Sequence, residues 1–216
     1  MRLIATLLRF FFSLLYHQFA WTYDLVAATV SLGRWKKWVL ATSPYLEGRV
    51  LEIGYGPGHL QAALLEKNIP AYGVDESRQM AHQAGRRVKK KGYQARLTRG
   101  LSQSLPFQSH VFDTVVATFP SEYIYDPHTL KEAQRVLVPE GRFIIVPMAW
   151  ITGRRPMEKL AVWLFRITGE APGEPKPLPA AVRDRFMQAG FQVRSELVEL
   201  EGSQILLILA TAVRSP

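Results

Sequence analysis

Cysteine is absent from the 216-residue chain. Its absence removes disulfide scaffolds, thiolate zinc sites, iron–sulfur clusters and thiol nucleophiles together, and it suits a reducing cytoplasm. The five histidines are scattered, with no spacing that would ligate a metal, so no metal is expected. Acidic residues are few: 18 Asp and Glu stand against 27 Lys and Arg, for a net charge of +9. That balance favours acidic ligands, polyanions or anionic membrane surfaces. No long uninterrupted apolar run occurs, because Arg9 splits the greasy stretch Met1 to Tyr16. No internal repeat or low-complexity tract is visible. The hydrophobic content of 48% and charged content of 21% are those of a globular chain. The length suits one domain with an added segment.

The N-terminal segment has a pattern of its own. Arg2, Thr6, Arg9 and Ser13 step by 4, 3 and 4 residues and form one narrow polar stripe. Leucines and phenylalanines fill the rest, as in an amphipathic helix. Such a helix can pack on its own domain, lie in a membrane interface or span a bilayer. A second stretch, Phe19 to Leu40, is aromatic, with Arg34, Lys36 and Lys37 on one side. Residues 1–47 are expected to be N-terminal helices that cover the site or touch a membrane, and residues 48–216 the main domain. A run from Arg86 to Lys91 concentrates positive charge, either as a solvated helix end or as an anion-binding patch.

From Gly48 onward, short β-rich runs alternate with helical ones. Strands are predicted at Arg49–Ile53, Ala71–Val74, Tyr93–Thr98, Val111–Thr118 and Gly141–Met148, then Phe191–Leu200 and Gln204–Val213. Helices are predicted through Leu65, and at Ser77–Lys91, Thr129–Leu137, Met157–Ile167 and Ala180–Ala189, with a Pro-rich loop at Ala171–Pro179. Regular alternation predicts an α/β fold with a doubly wound, mostly parallel seven-stranded Rossmann-like sheet. The tight link Glu201, Gly202, Ser203 makes the last two strands antiparallel.

The segment VLEIGYGPGHL, Val50 to Leu60, runs from strand to glycine loop to helix. Glycines there let the backbone adopt positive φ and approach a ligand. A dinucleotide fingerprint needs glycine at position 59, which is His59, so the spacing is GxGxG instead. Glu52, just before the loop, would repel a pyrophosphate and accept a cationic ligand. Asp75 ends the second strand 21 residues after Gly54, where a doubly wound sheet places a carboxylate beside a bound ribose.

Together with GVDES, LPFQSHVFDTVVATFP and LKEAQRVLVPEGRFIIV, this loop resembles the class I S-adenosylmethionine-dependent methyltransferases. The resemblance covers roughly Gly48 to Val213. It is nearest the small-molecule group that includes ubiquinone and menaquinone biosynthesis enzymes. It implies S-adenosylmethionine as cofactor, with Glu52, Gly54, Tyr55, Gly56 and Gly58 around its methionine part and Asp75 on its ribose. The family's acidic adenine contact is replaced here by Leu101, followed by Ser102, so the backbone or Ser102 must substitute. The resemblance also counts Thr118, the last residue of the fourth strand, among the cofactor-binding residues. Phe119, Pro120, Glu122 and Tyr123 fall on the family's substrate loop, and Tyr23 falls in a segment like one those enzymes fold over the cofactor.

Methyl transfer from a sulfonium is an in-line displacement that chiefly needs alignment and exclusion of water. A general base is required only for an acceptor that carries a proton, and His17, His59, Glu122 and His128 are the available groups; none is assigned as catalytic. Trp150, Leu160, Trp163, Leu164 and Ile167 can roof an apolar pocket or simply pack in the core. The expected acceptor is small and lipophilic, handled in the cytoplasm or at the inner face of a membrane. The alternatives are a nucleic-acid or protein methyltransferase and a non-enzymatic nucleotide-binding protein.

Overall fold

The computed structural model describes Ser31, residues 33–153 and residues 178–213. The expected N-terminal amphipathic helix, the helix predicted at Met157–Ile167 and Tyr23 lie outside the described residues, as does nearly all of the Pro-rich loop.

Eight strands form one sheet: β1 Val50–Ile53, β2 Ala71–Asp75, β3 Leu97–Arg99, β4 Phe112–Thr118, β5 Leu137–Val146, β6 Ala149–Ile151, β7 Phe191–Leu200 and β8 Ser203–Ala212. The order β3-β2-β1-β4-β5-β8 runs across it. β1 to β5 pair in parallel, whereas β8 runs antiparallel to β5, β6 and β7. β7 pairs along all of β8, so β5 and β6 share the opposite edge of that strand. The expected α/β sheet with antiparallel C-terminal strands is therefore present. The eighth strand, β6, is an extra short one.

Helices cover both faces. On one lie α1 Trp35–Leu40, α2 His59–Glu66 and α3 Arg78–Lys90; on the other, α4 Pro127–Val136 and α5 Ala180–Gln188. The strand side chains divide accordingly. Val50, Ala71, Val116, Ile144 and Leu207 pack with Trp38, Leu60 and Leu64 on the first face. Leu51, Val74, Val115, Phe143 and Ile208 pack with Leu130, Ala133 and Phe186 on the second. Each fully buried Leu, Ile or Phe contributes about 1.5–3 kcal/mol.

Boundaries moved where local chemistry outweighs pattern. The third strand is only Leu97–Arg99, not Tyr93–Thr98, because Gln94, Ala95 and Arg96 are exposed at the rim and only residues 97–99 pair in register with β2. The predicted fifth strand begins earlier, at Leu137, with Glu140 at φ +66 and a register shift opposite Phe112 and Thr114. It ends at Val146, and the chain turns back onto β8 as β6. α4 starts two residues before Thr129, because Asp126 accepts the His128 N–H at 2.7 Å and Pro127 occupies the first turn.

Candidate active site

Strand order reverses between β1 and β4, and ligands of open α/β sheets bind beyond the strand ends at such a reversal. Glu52, the glycine loop, Asp75 and Thr118 all lie at these ends, on β1, β2 and β4.

The loop is built from three positive-φ glycines with different neighbours. Gly54, at φ +72, carries the Tyr123 hydroxyl where a Cβ would stand. Gly58, at φ +79, is the N-cap of α2, and its Cβ would press on Ala84 of α3 at 2.7 Å. Gly56, at φ +50, faces open space on its Cβ side. Thus Gly58 lets two helices meet, whereas Gly56 keeps the cleft clear.

Two carboxylates lie at the strand ends beside this loop. Asp75 braces the loop: its Oδ2 accepts the Gly56 N–H at 2.9 Å and its Oδ1 accepts the Ser77 N–H at 2.8 Å. Partial burial raises its pKa, against the lowering effect of those two N–H groups. Glu52 is 2% exposed. Its Oε2 accepts from Gln61 Nε2 at 2.9 Å, and the same amide also donates to the Tyr72 carbonyl at 3.0 Å. Burial pushes the Glu52 carboxyl up to about 8, only partly offset by the Gln61 bond. Gln61 was not singled out from sequence; its one signal is a polar residue on the inward side of α2, between Leu60 and Leu64.

Tyr55 lies under the loop. Its ring fills the space that a Cβ on Gly73 would take, and its buried hydroxyl has no hydrogen-bond partner among the described residues. Burial, then the nearby Asp75 charge, push the phenol up to about 12. Tyr123, from the 3-10 turn Glu122–Tyr125, aims its hydroxyl at Gly54, and burial likewise raises its pKa.

Other sequence candidates sit apart. Leu101 is 54% exposed beyond the end of β3. The Ser102 hydroxyl is engaged by Thr129 Oγ1 at 2.9 Å and Gln103 Oε1 at 3.1 Å. Phe119, at φ +52, directs its ring onto Trp35 at 4.2 Å between centroids, away from Tyr123. Pro120 is half-buried and Glu122 is exposed. His128 is exposed on the first turn of α4, and His59 begins α2. Among the described residues, no three His, Asp or Glu side chains gather in a way that could hold a metal ion.

These groups fit S-adenosylmethionine. It brings an ammonium and a sulfonium but no phosphate, which suits two carboxylates beside an open glycine face. Asp75 would hold the ribose, and Glu52 would face the ammonium.

Residues 50–141 match the family model described as "Methyltransferase domain". Over that segment the chain is similar to class I S-adenosylmethionine-dependent methyltransferases. It is 33% identical over 102 residues to the uncharacterized methyltransferase YcgJ of Bacillus subtilis, covering 46% of this chain and 40% of that one. It is 33% identical over 140 residues to a demethylmenaquinone methyltransferase of Symbiobacterium thermophilum, covering 60% and 56%. The chain thus spans about half the length of these curated relatives. The crystal structure of YcgJ superposes with a TM-score of 0.61 at 18% identity, over 83% of this chain and 99% of that one. The chain therefore shares its fold with YcgJ, and its glycine loop falls inside residues 50–141.

Proposed function

We propose that the protein transfers a methyl group from S-adenosylmethionine to a small, lipophilic acceptor. The observation that carries this reading is the buried Glu52 carboxyl on β1, just before a glycine loop whose Gly56 is open on its Cβ side and held by Asp75. When bound, the cofactor supplies an activated methyl, transferred to the acceptor's electron pair as the S–C bond breaks toward sulfur. The chain's own residues bind and orient. Asp75 fixes Gly56 and accepts from ribose hydroxyls, while Glu52, held by Gln61, faces the ammonium. Backbone groups near Leu101 take the place of the family's adenine-binding acid, since the Ser102 hydroxyl is engaged by Thr129 and Gln103. The exposed Leu101 side chain offers the ring an apolar contact. Tyr123 walls the cleft on the acceptor side and excludes water.

Support for a lipophilic acceptor comes from the similarity to demethylmenaquinone methyltransferases. Among the described residues no helix is long and apolar enough to cross a membrane. We place the protein in the cytoplasm, meeting its acceptor at an anionic bilayer surface, with the basic stripe of residues 2–13 and the net charge of +9 in support. The test is calorimetry with S-adenosylmethionine and S-adenosylhomocysteine, followed by transfer of labelled methyl into a lipid extract. Binding of both, with label in the organic phase, is expected. Binding of neither overturns the reading, and label in nucleic acid or protein instead overturns its acceptor class.

A further inference from the structure

The two faces of the sheet differ in charge. α1, α2 and α3 carry seven Lys and Arg against one Glu, whereas α4 and α5 carry four against two. The excess is concentrated on α3. Its buried side is Ala84 and Val88. Arg78, His82, Arg86, Lys89 and Lys90 are exposed and fall within about 120° of arc on the outer side. They run the length of the helix, about 18 Å. No acidic residue lies on α3. The nearest acids are otherwise engaged or few: Glu66 on α2 pairs with Lys91, and Glu76 precedes the helix. Exposed Lys36 on α1 extends the basic surface across α2 on the same layer.

We propose that this helix layer, centred on the outer side of α3, is the surface that docks on an anionic lipid bilayer; the inference rests on the membrane-proximal part of the proposed function. Three observations favour lipid headgroups over a nucleic acid. The cations lie on the outside of a helix layer rather than in a groove that would follow a strand. No aromatic ring is interleaved among them for a base to stack on. The chain enters this layer at α1, downstream of residues 1–16, whose sequence carries the narrow basic stripe and wide apolar side of an interfacial helix. In this orientation Arg78, three residues beyond Asp75, meets the bilayer beside the mouth of the cleft, so a lipophilic acceptor leaves the membrane next to the cofactor.

The experiment uses the full chain and co-sedimentation with two vesicle types: phosphatidylcholine alone, and phosphatidylcholine with about one third phosphatidylglycerol. Binding to the anionic vesicles only is expected. The triple variant Arg86→Gln, Lys89→Gln, Lys90→Gln should bind them about a hundredfold more weakly, since each cation near such a surface is worth about fivefold. All three residues are exposed, and none is in the cleft, so melting temperature and S-adenosylmethionine affinity should not change. The control Lys131→Gln, Arg183→Gln, Arg185→Gln, on the opposite face, should bind as wild type. Undiminished vesicle binding by the α3 variant, equal loss in the control, or tighter binding to duplex nucleic acid than to vesicles at equal salt would each overturn the surface. Failure to bind S-adenosylmethionine with vesicle binding intact would instead remove the methyltransferase reading and leave the surface standing.

Discussion

At the scale of single residues, Glu52 makes the sharpest demands. Its carboxyl is buried and raised to about 8, so in the free protein at neutral pH it is mostly protonated. An ammonium bound beside it favours the charged form and releases that proton. Calorimetry near pH 7 in buffers of different ionisation enthalpy should therefore show proton release on cofactor binding, absent in Glu52→Gln; a heat independent of buffer would count against the placement. The sign for stability also follows. A carboxyl raised in the folded state stabilises the fold fully below its unfolded pKa of about 4.5, and that contribution is lost as pH rises through about 8. Glu52→Gln keeps an oxygen for Gln61 to donate to. It should melt above wild type at about pH 9, with the gap closing toward about pH 5. Asp75 acts differently, because it holds Gly56 as well as facing a ribose. Asp75→Ala should weaken S-adenosylmethionine by about 1.5–3 kcal/mol, the range for a hydrogen bond to a charged group. A calorimetric affinity equal to wild type would sink that role.

At the scale of elements, the glycine loop separates binding from folding. Gly56 faces open space, so Gly56→Val projects its branch into the cleft. Cofactor binding should vanish while circular dichroism still shows the folded chain, with the thermal transition lowered only by the strain of valine at the left-handed φ of +50. Gly58→Ala does the reverse. It forces a left-handed φ of +79 on alanine and drives its Cβ onto Ala84, parting α2 from α3. A loss of about 2–4 kcal/mol in denaturant unfolding is expected, from left-handed backbone and overpacking together. The sequence motif names these glycines alike. Only the helix packed beneath Gly58 and the space beside Gly56 tell them apart. Phe119 and Tyr123 teach the same lesson. Both fall on the segment expected to face the substrate, yet the left-handed turn at Phe119 sends its ring to Trp35 and Trp38. Only Tyr123 reaches Gly54.

At the scale of the whole molecule, the two ends of the described chain are tied together. Trp38 of α1 is 6% exposed and donates its indole N–H to Ser203 Oγ of β8 at 2.9 Å. Its ring packs with Phe119, which follows β4. Trp38→Ala should cost about 3–5 kcal/mol, as for other large core truncations. Because α1 packs into the sheet's own core, that loss should appear as one lowered transition by calorimetry. A separate early transition with the main one unshifted would show that α1 folds independently of the sheet.

By itself the sequence determined the alternation of strand and helix, the parallel sheet with its antiparallel end, and the loop beyond β1 that carries Glu52, Gly54, Gly56 and Gly58. These are local or periodic signals: buried runs such as Val50–Ile53 and Val115–Ala117, glycines where a helix must start, and a tight turn at Gly202. The tertiary structure alone decided which of those residues face the cleft. Gln61 holds Glu52 because α2 lies over β1 and β2. Ser102 turns to Thr129, 27 residues away in sequence. Positive charge gathers on one face because α1 and α2 pack on that side of the sheet and α3 packs against α2. Such contacts depend on handedness and layer order, which arise from the packing of distant elements, and no spacing along the chain encodes them.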